Sequence, residues 1–448
     1  MSRRVVVVGG GLAGITAALD CADAGCDVTL VEVRRQLGGA AYSFTRDGLR
    51  IDNGQHVFLR CCTDYLGLLE RLGSRSLTTL QPRLAIPVVA PGARVAWLRR
   101  SGLRAPAHLA GALARYAHLS PVERARAALA ASALARVDTE DPRADSRTFG
   151  EWLDEHHQSR RAVERLWDLI ARPTLNLTAA QASLASAAYV FQVGLLRDAA
   201  AGDVGWACAP LSQLHDAPAR RTLAAAGVEV RMGWRASRIS HENGSEWAVE
   251  GPDDQVSADG AIVAVPHQRL AALLPPGALA GSHNLDALGN SPIVNLHVVY
   301  DRRVTDFEFA AAVDSPVQWV FDRTRSAELE SGQYLALSLS AAEEEMAMSP
   351  EGLRARYLPA LGELFPRARE ARVLHFLVSR EHAATFRAAP GTRALRPQPG
   401  TRLRGLAVAG SFTDTGWPAT MEGAVRSGHA AAREVLTALV DIRPAIAA

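Results

Sequence analysis

Val5-Val6-Val7-Val8-Gly9-Gly10-Gly11-Leu12-Ala13-Gly14 runs four β-branched residues straight into a glycine cluster. Such an unbroken apolar run predicts a strand buried on both faces of a parallel sheet. Gly9, Gly11 and Gly14 form G-x-G-x-x-G. The first glycine makes a tight turn, the second lets the backbone approach a pyrophosphate, and the third lets helix and strand pack closely. Ile15 to Ala24 then predicts a helix closed by Gly25, and Val28-Thr29-Leu30-Val31 a second strand with Glu32 at its carboxyl end. The helix amino terminus, where Leu12 and Ala13 contribute amides, offers free N–H groups and a positive dipole to phosphates. Glu32 is placed to accept hydrogen bonds from ribose hydroxyls, and its charge disfavours a 2′-phosphate. With strand, helix, second strand and acid all in register, the stretch reads as a dinucleotide-binding unit.

The same unit has partners far along the chain. Leu406-Ala407-Val408-Ala409-Gly410 is another buried-strand pattern. Ser411 to Pro418 is turn-rich, and Ala419-Thr420-Met421-Glu422-Gly423-Ala424-Val425 leads into a helix through Leu439. In the middle, Gly227 to Gly233, Trp247 to Glu250 and Ala261 to Val265 read as strands.

Composition narrows the chemistry. Of 448 residues, 49 are Lys or Arg and 47 Asp or Glu, and every one of the 49 is arginine. A chain without lysine has no Schiff-base lysine, no pyridoxal phosphate chemistry and no P-loop lysine. Arginine does not deprotonate in a protein, so histidine is the only basic side chain able to act as a neutral-pH base. A net charge of +2 offers no global field for nucleic acid. Cys21, Cys26, Cys61, Cys62 and Cys208 form no Cys-x-x-Cys pair, so zinc, thioredoxin-like and iron–sulfur sites lack their spacing and no metal site is expected. Sparse, odd cysteines predict reduced thiols in a cytoplasmic protein. We expect no signal peptide and no spanning helix, because Leu103 to Val137 is interrupted by Arg104, Arg115, Arg124, Arg126 and Arg136. That Ala/Leu-rich segment suits amphipathic helices, either packed in a core or lying on a membrane surface.

After Glu32 comes Val33-Arg34-Arg35-Gln36-Leu37-Gly38-Gly39. Here the chain resembles the FAD superfamily of amine oxidases, protoporphyrinogen oxidase and carotenoid desaturases, which carries Glu-x-Arg-x-x-x-Gly-Gly-Arg after its second strand. Glu32, Arg34, Gly38 and Gly39 match; Ala40 stands where the last arginine is usual. The resemblance implies FAD, held noncovalently because no Cys or His occupies the attachment positions, with backbone amides around Gly39, Ala40 and Ala41 serving the pyrophosphate. It makes Val33 and Arg34 cofactor contacts, Ala236 a backbone contact on the adenine side, and places Gly410 and Ser411 near the ribitol. The amides of Thr420, Met421 and Glu422, with Ala424 in the same turn, face the pyrimidine end. A helix start there would stabilise the anion of reduced flavin. The implied fold is α/β: a Rossmann-type, glutathione reductase-like FAD-binding domain with an inserted α+β substrate domain. Its segments are expected at 1–75, 213–270 and 400–440, with the substrate domain at 76–212, largely helical, and at 271–399, where strands at Ile293 to Tyr300 and Tyr334 to Leu339 precede a helix at Pro350 to Leu364.

Ile51-Asp52-Asn53-Gly54-Gln55-His56-Val57-Phe58 is expected on the flavin's other side, with Gly54, Gln55 and His56 in contact. His56 reads either as an acid or base near the reactive face or as a histidine bonded to a loop carbonyl, the more ordinary role. Asp52 reads as a turn cap. Amine-oxidising relatives usually place a lysine near the flavin N5, and this chain has none. The run Asn53 to Leu59 with Tyr65-Leu66 and Leu68 to Gly73, Asn176 to Ser183, and Pro210 to Leu214 resembles the hydroxysqualene dehydroxylase family, also described as squalene-associated FAD-dependent desaturases. That resemblance implies reductive loss of an allylic hydroxyl from hydroxysqualene, giving squalene for hopanoid or related triterpene synthesis, with an unknown electron donor. An acid from His56 or Asp414 would protonate the leaving hydroxyl, although Asp414 also reads as a loop cap. The alternatives are a carotenoid desaturase or other isoprenoid oxidoreductase, an amine oxidase, and a noncatalytic FAD-binding protein. An isoprenoid substrate implies an apolar tunnel, with Tyr189-Val190-Phe191 and Trp319-Val320-Phe321 as candidate walls, and a mouth at the inner face of the cytoplasmic membrane. Trp97-Leu98-Arg99-Arg100 to Arg104 is the candidate membrane contact, or else a solvated basic turn.

Overall fold

In the computed structural model, which describes residues 2–242, 246–279 and 285–440, the valine run forms the middle strand of a five-stranded sheet. Its order is Glu229–Met232, Asp27–Glu32, Arg4–Val8, Gly260–Val263, Leu406–Val408, all parallel. Val5 to Val8 are buried on both faces, as a parallel strand requires. Helix Leu12–Asp23 packs against helix Met421–Val440 across residues 400 apart in sequence. Glycine permits both contacts: a Cβ on Gly14 would lie 1.9 Å from the Gly9 carbonyl oxygen, and one on Gly428 2.3 Å from the Ala13 carbonyl oxygen. An antiparallel three-stranded sheet, Arg238–Glu242, Glu246–Glu250 and Gln255–Ala258, lies next to the central strands.

A second, seven-stranded sheet has the order Val373–Thr385, Ser291–Tyr300, Gln333–Ser340, Trp319–Asp322, Phe309–Ala312, Ala85–Ala90, Arg94–Arg99. On one face Val294, Leu296, Val298, Leu335, Leu337 and Leu339 pack with Leu353, Tyr357 and Leu361 of helix Pro350–Leu364. The period-2 alternation of strands leaves the intervening residues for the opposite face.

The expectation of a largely helical segment over 76–212 is corrected in one respect. Residues 85–99 form a β-hairpin that supplies the last two strands of the seven-stranded sheet, and a small sheet joins Val57–Leu59, Val204–Ala207 and Thr78–Leu80. Ile86, Val88 and Val89 favour strand, and Gly92 and Ala93, both at positive φ, make the turn. Helices do dominate the rest, as at Pro121–Leu134, opened by a Ser120/Glu123 capping box. The basic run after Trp97 is partly structural. Arg100 donates to buried Asp203 at 2.6 and 2.9 Å, Arg60 joins the same carboxylate, and the Arg99 guanidinium lies 3.7 Å from the Trp97 ring centre. Among the described residues, no helix is long and apolar enough to cross a membrane.

Candidate functional site

At the carboxyl ends of the parallel strands two glycine loops meet. Gly38 N–H donates to Gly10 O, and Gly11 and Gly38 form an isolated parallel bridge. Gly11 is the N-cap of helix Leu12–Asp23, with no side-chain cap and no acidic residue in the first turn. The amides of Leu12, Ala13 and Gly14 therefore stand where an anionic diphosphate would satisfy them, which is how a dinucleotide site is built. Glu32 is buried at its strand end, where its two oxygens accept from Gly10 N at 2.6 Å and Arg34 N at 2.7 Å. It thus ties the first loop to the second while keeping lone pairs for a ribose. Arg34 donates to Gly39 O and lies over the Tyr42 ring. Val33 is exposed, and so is Ala40, whose carbonyl accepts from Asn53; Ala41 is buried. Ala236 reaches this end because Gly233 and Trp234 donate to the carbonyls of Arg34 and Glu32.

The carboxyl-terminal half is held by hydrogen bonds to its backbone. Gly410 N–H donates to Ser427 Oγ at 2.8 Å, Thr420 Oγ1 takes the Gly423 amide, and Ala424 N–H returns to Thr420 O. Arg396, pushed down to about 10 by burial, donates to the carbonyls of Phe412, Ser411, Thr413 and Trp417 and so shapes the whole loop. Glu422 contributes more than an amide. Its buried carboxylate, raised by desolvation, accepts from Tyr65 N at 2.7 Å and Asp64 N at 3.2 Å and caps helix Thr63–Arg71. The glycine loops and open helix starts fit a dinucleotide cofactor without a rearrangement of the fold.

His56 bonds its own loop: Nδ1 lies 3.1 Å from Gly54 O. The carbonyl must accept, so Nδ1 carries the hydrogen and Nε2 is left as the second functional nitrogen. Desolvation lowers the His56 pKa, against the opposing pull of nearby Asp52 and Glu381. Asp414 accepts from Gln398 at 3.2 Å and Gly416 N at 3.4 Å, a loop-cap arrangement. It lines an open surface cleft with Tyr189, Phe386, Arg393, Arg396 and Trp417. No hydrogen bond or ion pair among the described residues joins Asp414 to His56. Asp52 is not the turn cap expected. It is buried, accepts from Ser43 Oγ and Leu211 N, and pairs with buried Arg323, which also donates to Ala207 O.

Sequence reasoning missed the polar half of the seven-stranded sheet. Opposite the helix-packed face, the register aligns Ser379, Asn295, Ser338, Trp319 and Ala311 across five strands. A parallel row aligns His297, Ala336, Phe321 and Phe309. Trp206 packs edge-on against Phe309, and Trp319 and Phe321 stack beside it. Trp206 pairs in register with Val57, the residue after His56. Phe309 and Phe321, with Trp206 and Trp319 packed against them, form an aromatic cluster on the hairpin 85–99, together with Ile86 and Val88. Of the candidate walls, Phe321 is core beside Ile86 and Val88 with Trp319 packed against it, Val320 belongs to the helix-packed face, Val190 and Phe191 are core around Phe149 and Trp167, and Tyr189 packs on Trp417. The signal was present in Ser291 to Tyr300, where Asn295 and His297 alternate with Val294, Leu296 and Val298. His297, pushed down to about 3 by burial, bonds Tyr334 and Ser379.

Comparison with known proteins agrees with this geometry. The family model for flavin containing amine oxidoreductase matches residues 12–436. The hydroxysqualene dehydroxylase of Rhodopseudomonas palustris is 29% identical, covering 98% of this chain and 99% of its own. A probable zeta-carotene desaturase of Synechococcus elongatus is 26% identical over 97% of this chain and 99% of its own. Among solved structures, a putrescine oxidase superposes with a TM-score of 0.73 at 20% identity, covering 98% of this chain and 99% of that one; cyclohexylamine oxidase from Brevibacterium oxydans gives 0.72 at 18%, covering 99% and 100%. The two glycine loops and the paired helix starts are the geometry that would hold a dinucleotide, and the chain belongs to the flavin containing amine oxidoreductase family, an FAD-dependent oxidoreductase.

Proposed function

We infer that this protein removes the hydroxyl of hydroxysqualene reductively, giving squalene for hopanoid or related triterpene synthesis. The observation that carries the reading is the sheet face opposite helix Pro350–Leu364, where the apolar Phe309, Trp319 and Phe321 share cross-strand rows with a few polar side chains, Asn295, Ser338 and His297. A long hydrocarbon with a single oxygen has that same distribution of polarity. Full-length similarity to a hydroxysqualene dehydroxylase supports it, and a chain without lysine offers no amine-oxidase lysine.

In the reaction the allylic C–O bond breaks, oxygen leaves as water and a hydrogen takes its place. Bound FAD, when reduced, supplies the hydride. The chain's residues supply the rest. The apolar part of that sheet face orients the chain and excludes water, and the Gly54 carbonyl fixes the His56 tautomer. Protonated His56 delivers a proton to the departing oxygen. Because burial lowers its pKa, the protonated form is scarce at neutral pH but strongly acidic, so turnover rises as pH falls. Two electrons are consumed per turnover, so a donor is a required partner.

A substrate this apolar sits in lipid, and we place the protein on the inner face of the cytoplasmic membrane. Among the described large apolar residues, the three most exposed, Leu103, Val122 and Leu129, all lie in the arginine-bearing segment 103–129. Exposed aliphatics beside arginine suit an anionic bilayer surface. Flotation with anionic liposomes should carry the protein upward; none floating removes the membrane placement.

Similarity to a zeta-carotene desaturase supports a second reading, desaturation of a carotenoid. One experiment separates them. Dithionite-reduced protein incubated anaerobically with hydroxysqualene should yield squalene. No squalene, together with conversion of zeta-carotene by the oxidised protein, replaces the first reading with the second.

A further inference from the structure

Cys61 and Cys62 are neighbours in the chain, and their thiols interact at the start of helix Thr63–Arg71. Cys62 is the N-cap. Its φ of −79° and ψ of 65°, with Thr63 N–H donating back to Cys61 O at 2.9 Å, make a tight γ-turn. All four amides that a helix start leaves open are taken here. Cys62 N–H donates to Leu59 O, Thr63 N–H to Cys61 O, and Asp64 and Tyr65 N–H to the Glu422 carboxylate. Glu422 belongs to the first turn of helix Met421–Val440, so the turn at Cys62 is tied directly to one of the helix starts of the cofactor site.

The two thiols are unlike. Cys61 is partly exposed, and the Cys62 thiol beside it, with Arg426 nearby, holds its pKa below the usual thiol value against the opposing effect of burial. Cys62 is buried, and its own thiol is pushed up by the same contact and by desolvation. Cys21 and Cys26 are both pushed up by burial. A reachable thiolate with a protonated thiol against it is the arrangement of a nucleophile and its resolving partner. We propose that Cys61 and Cys62 close to a reversible disulfide under hydrogen peroxide and that the closure loosens the protein's hold on FAD. The Cys61 thiolate attacks one peroxide oxygen, the O–O bond breaks, and the sulfur becomes a sulfenic acid while hydroxide leaves and takes up a proton. The Cys62 sulfur then displaces the sulfenic oxygen as water. Two thiols and one peroxide give one disulfide and two waters. Peroxide is what dioxygen becomes on taking the electrons of a reduced flavin, so the oxidant arises where this protein works. Adjacent Cα atoms lie about 3.8 Å apart, closer than the roughly 4.4–6.8 Å that disulfides ordinarily span. Closing the ring therefore turns the backbone at Cys61 and Cys62, and the amides held by Glu422 turn with it. The same strain lets cellular thiols reopen the bond, as a switch requires. The inference goes beyond the choice of substrate and holds for whichever isoprenoid the protein takes.

Holoprotein treated with hydrogen peroxide, then denatured, alkylated with N-ethylmaleimide and digested, tests it by mass. The peptide bearing residues 61 and 62 should carry no label and weigh two hydrogens less, and dithiothreitol should restore both labels. Cys62→Ser should stop at a dimedone-reactive sulfenic acid on Cys61, and Cys61→Ser should form no disulfide. Release of FAD, followed by the fluorescence of the free flavin, should be about tenfold faster from the oxidised wild type, the scale of one hydrogen bond to a charged group. Peroxide should leave release from Cys61→Ser unchanged. Both labels surviving peroxide overturn the proposal, as does a sulfinic acid in place of the disulfide. A disulfide that leaves FAD release unchanged overturns the switch. Should the serine variants not fold, phenylarsine oxide, which bridges paired thiols, takes their place on the wild type and should protect residues 61 and 62 from peroxide; no protection overturns the pairing.

Discussion

The two sheets of this protein build their sites by different means. At the ends of the parallel strands the working groups are backbone: amides at Leu12 to Gly14, the loop at Gly38 and Gly39, and the helix start at Met421. On the seven-stranded sheet, where we propose the substrate lies, they are side chains, spaced two apart along strands and aligned across them. A cofactor shared by many chemistries can be held by a fixed backbone cradle. Selection of one substrate is left to side chains that change without disturbing the strands that carry them.

Substitutions should therefore act differently on the two sides. The largest effect is expected at Gly14. With a Cβ only 1.9 Å from the Gly9 carbonyl, Gly14→Val must push helix and strand apart, costing about 3 kcal/mol or more. The protein should be insoluble or colourless, read as loss of visible flavin absorbance. Next is the buried pair that joins the two sides. Asp52→Asn leaves Arg323 charged and uncompensated and should lose about 3–5 kcal/mol in thermal or denaturant unfolding, whereas replacing both residues by apolar ones should recover much of it. His56→Ala should lower turnover about 10²- to 10³-fold with FAD retained. Below neutrality the wild-type rate should climb and that of the variant should not. Equal pH profiles would remove His56 as the proton donor.

The last effect appears only at acid pH, where the wild type is already marginal, and concerns one buried histidine. His215 is fully buried, its pKa pushed down to about 4, with Nδ1 on Ala41 O and Nε2 on the Tyr65 hydroxyl. Its pKa is lower in the folded than in the unfolded chain, so the unfolded state binds more protons between about 6.5 and 4. Stability is full above that window and falls as pH drops through it, by about 3 kcal/mol at 1.4 kcal/mol per unit. His215→Gln cannot titrate and should flatten melting temperature against pH in that range.

The same contrast governs what could be read from the chain. Backbone sites need glycines at fixed local spacing, so Gly9 to Gly14, Glu32 and the Gly38-Gly39 pair were legible, as was the return of the chain at Gly410. Side-chain sites are assembled from distant strands. Asn295, Ser338 and Trp319 are neighbours only through cross-strand register, which no local pattern encodes. Nothing local in Thr324 or Asp322 marks Arg323 as the buried partner of Asp52, 271 residues away. The hairpin 85–99 is masked in the sequence because Pro87 sits within it and the Ala/Leu-rich helices that follow dominate the segment. Its alternating Ile86 and Val88 were the overlooked cue.

The hairpin also imposes an order in time. Its inner strand is completed by Phe309–Ala312, and Val88 pairs with Ala311, 223 residues later in the chain. At translation rates of about 5–20 residues per second, its apolar edge stays open for roughly ten to forty-five seconds on the ribosome. The valine strand at Arg4–Val8 finds its first neighbour at once, in Asp27–Glu32, but the sheet is closed only by Leu406–Val408, near the end of synthesis. A nascent chain therefore exposes an unfinished sheet edge for most of its production. Coexpressed chaperones, or slower growth at low temperature, should govern how much soluble yellow protein is recovered.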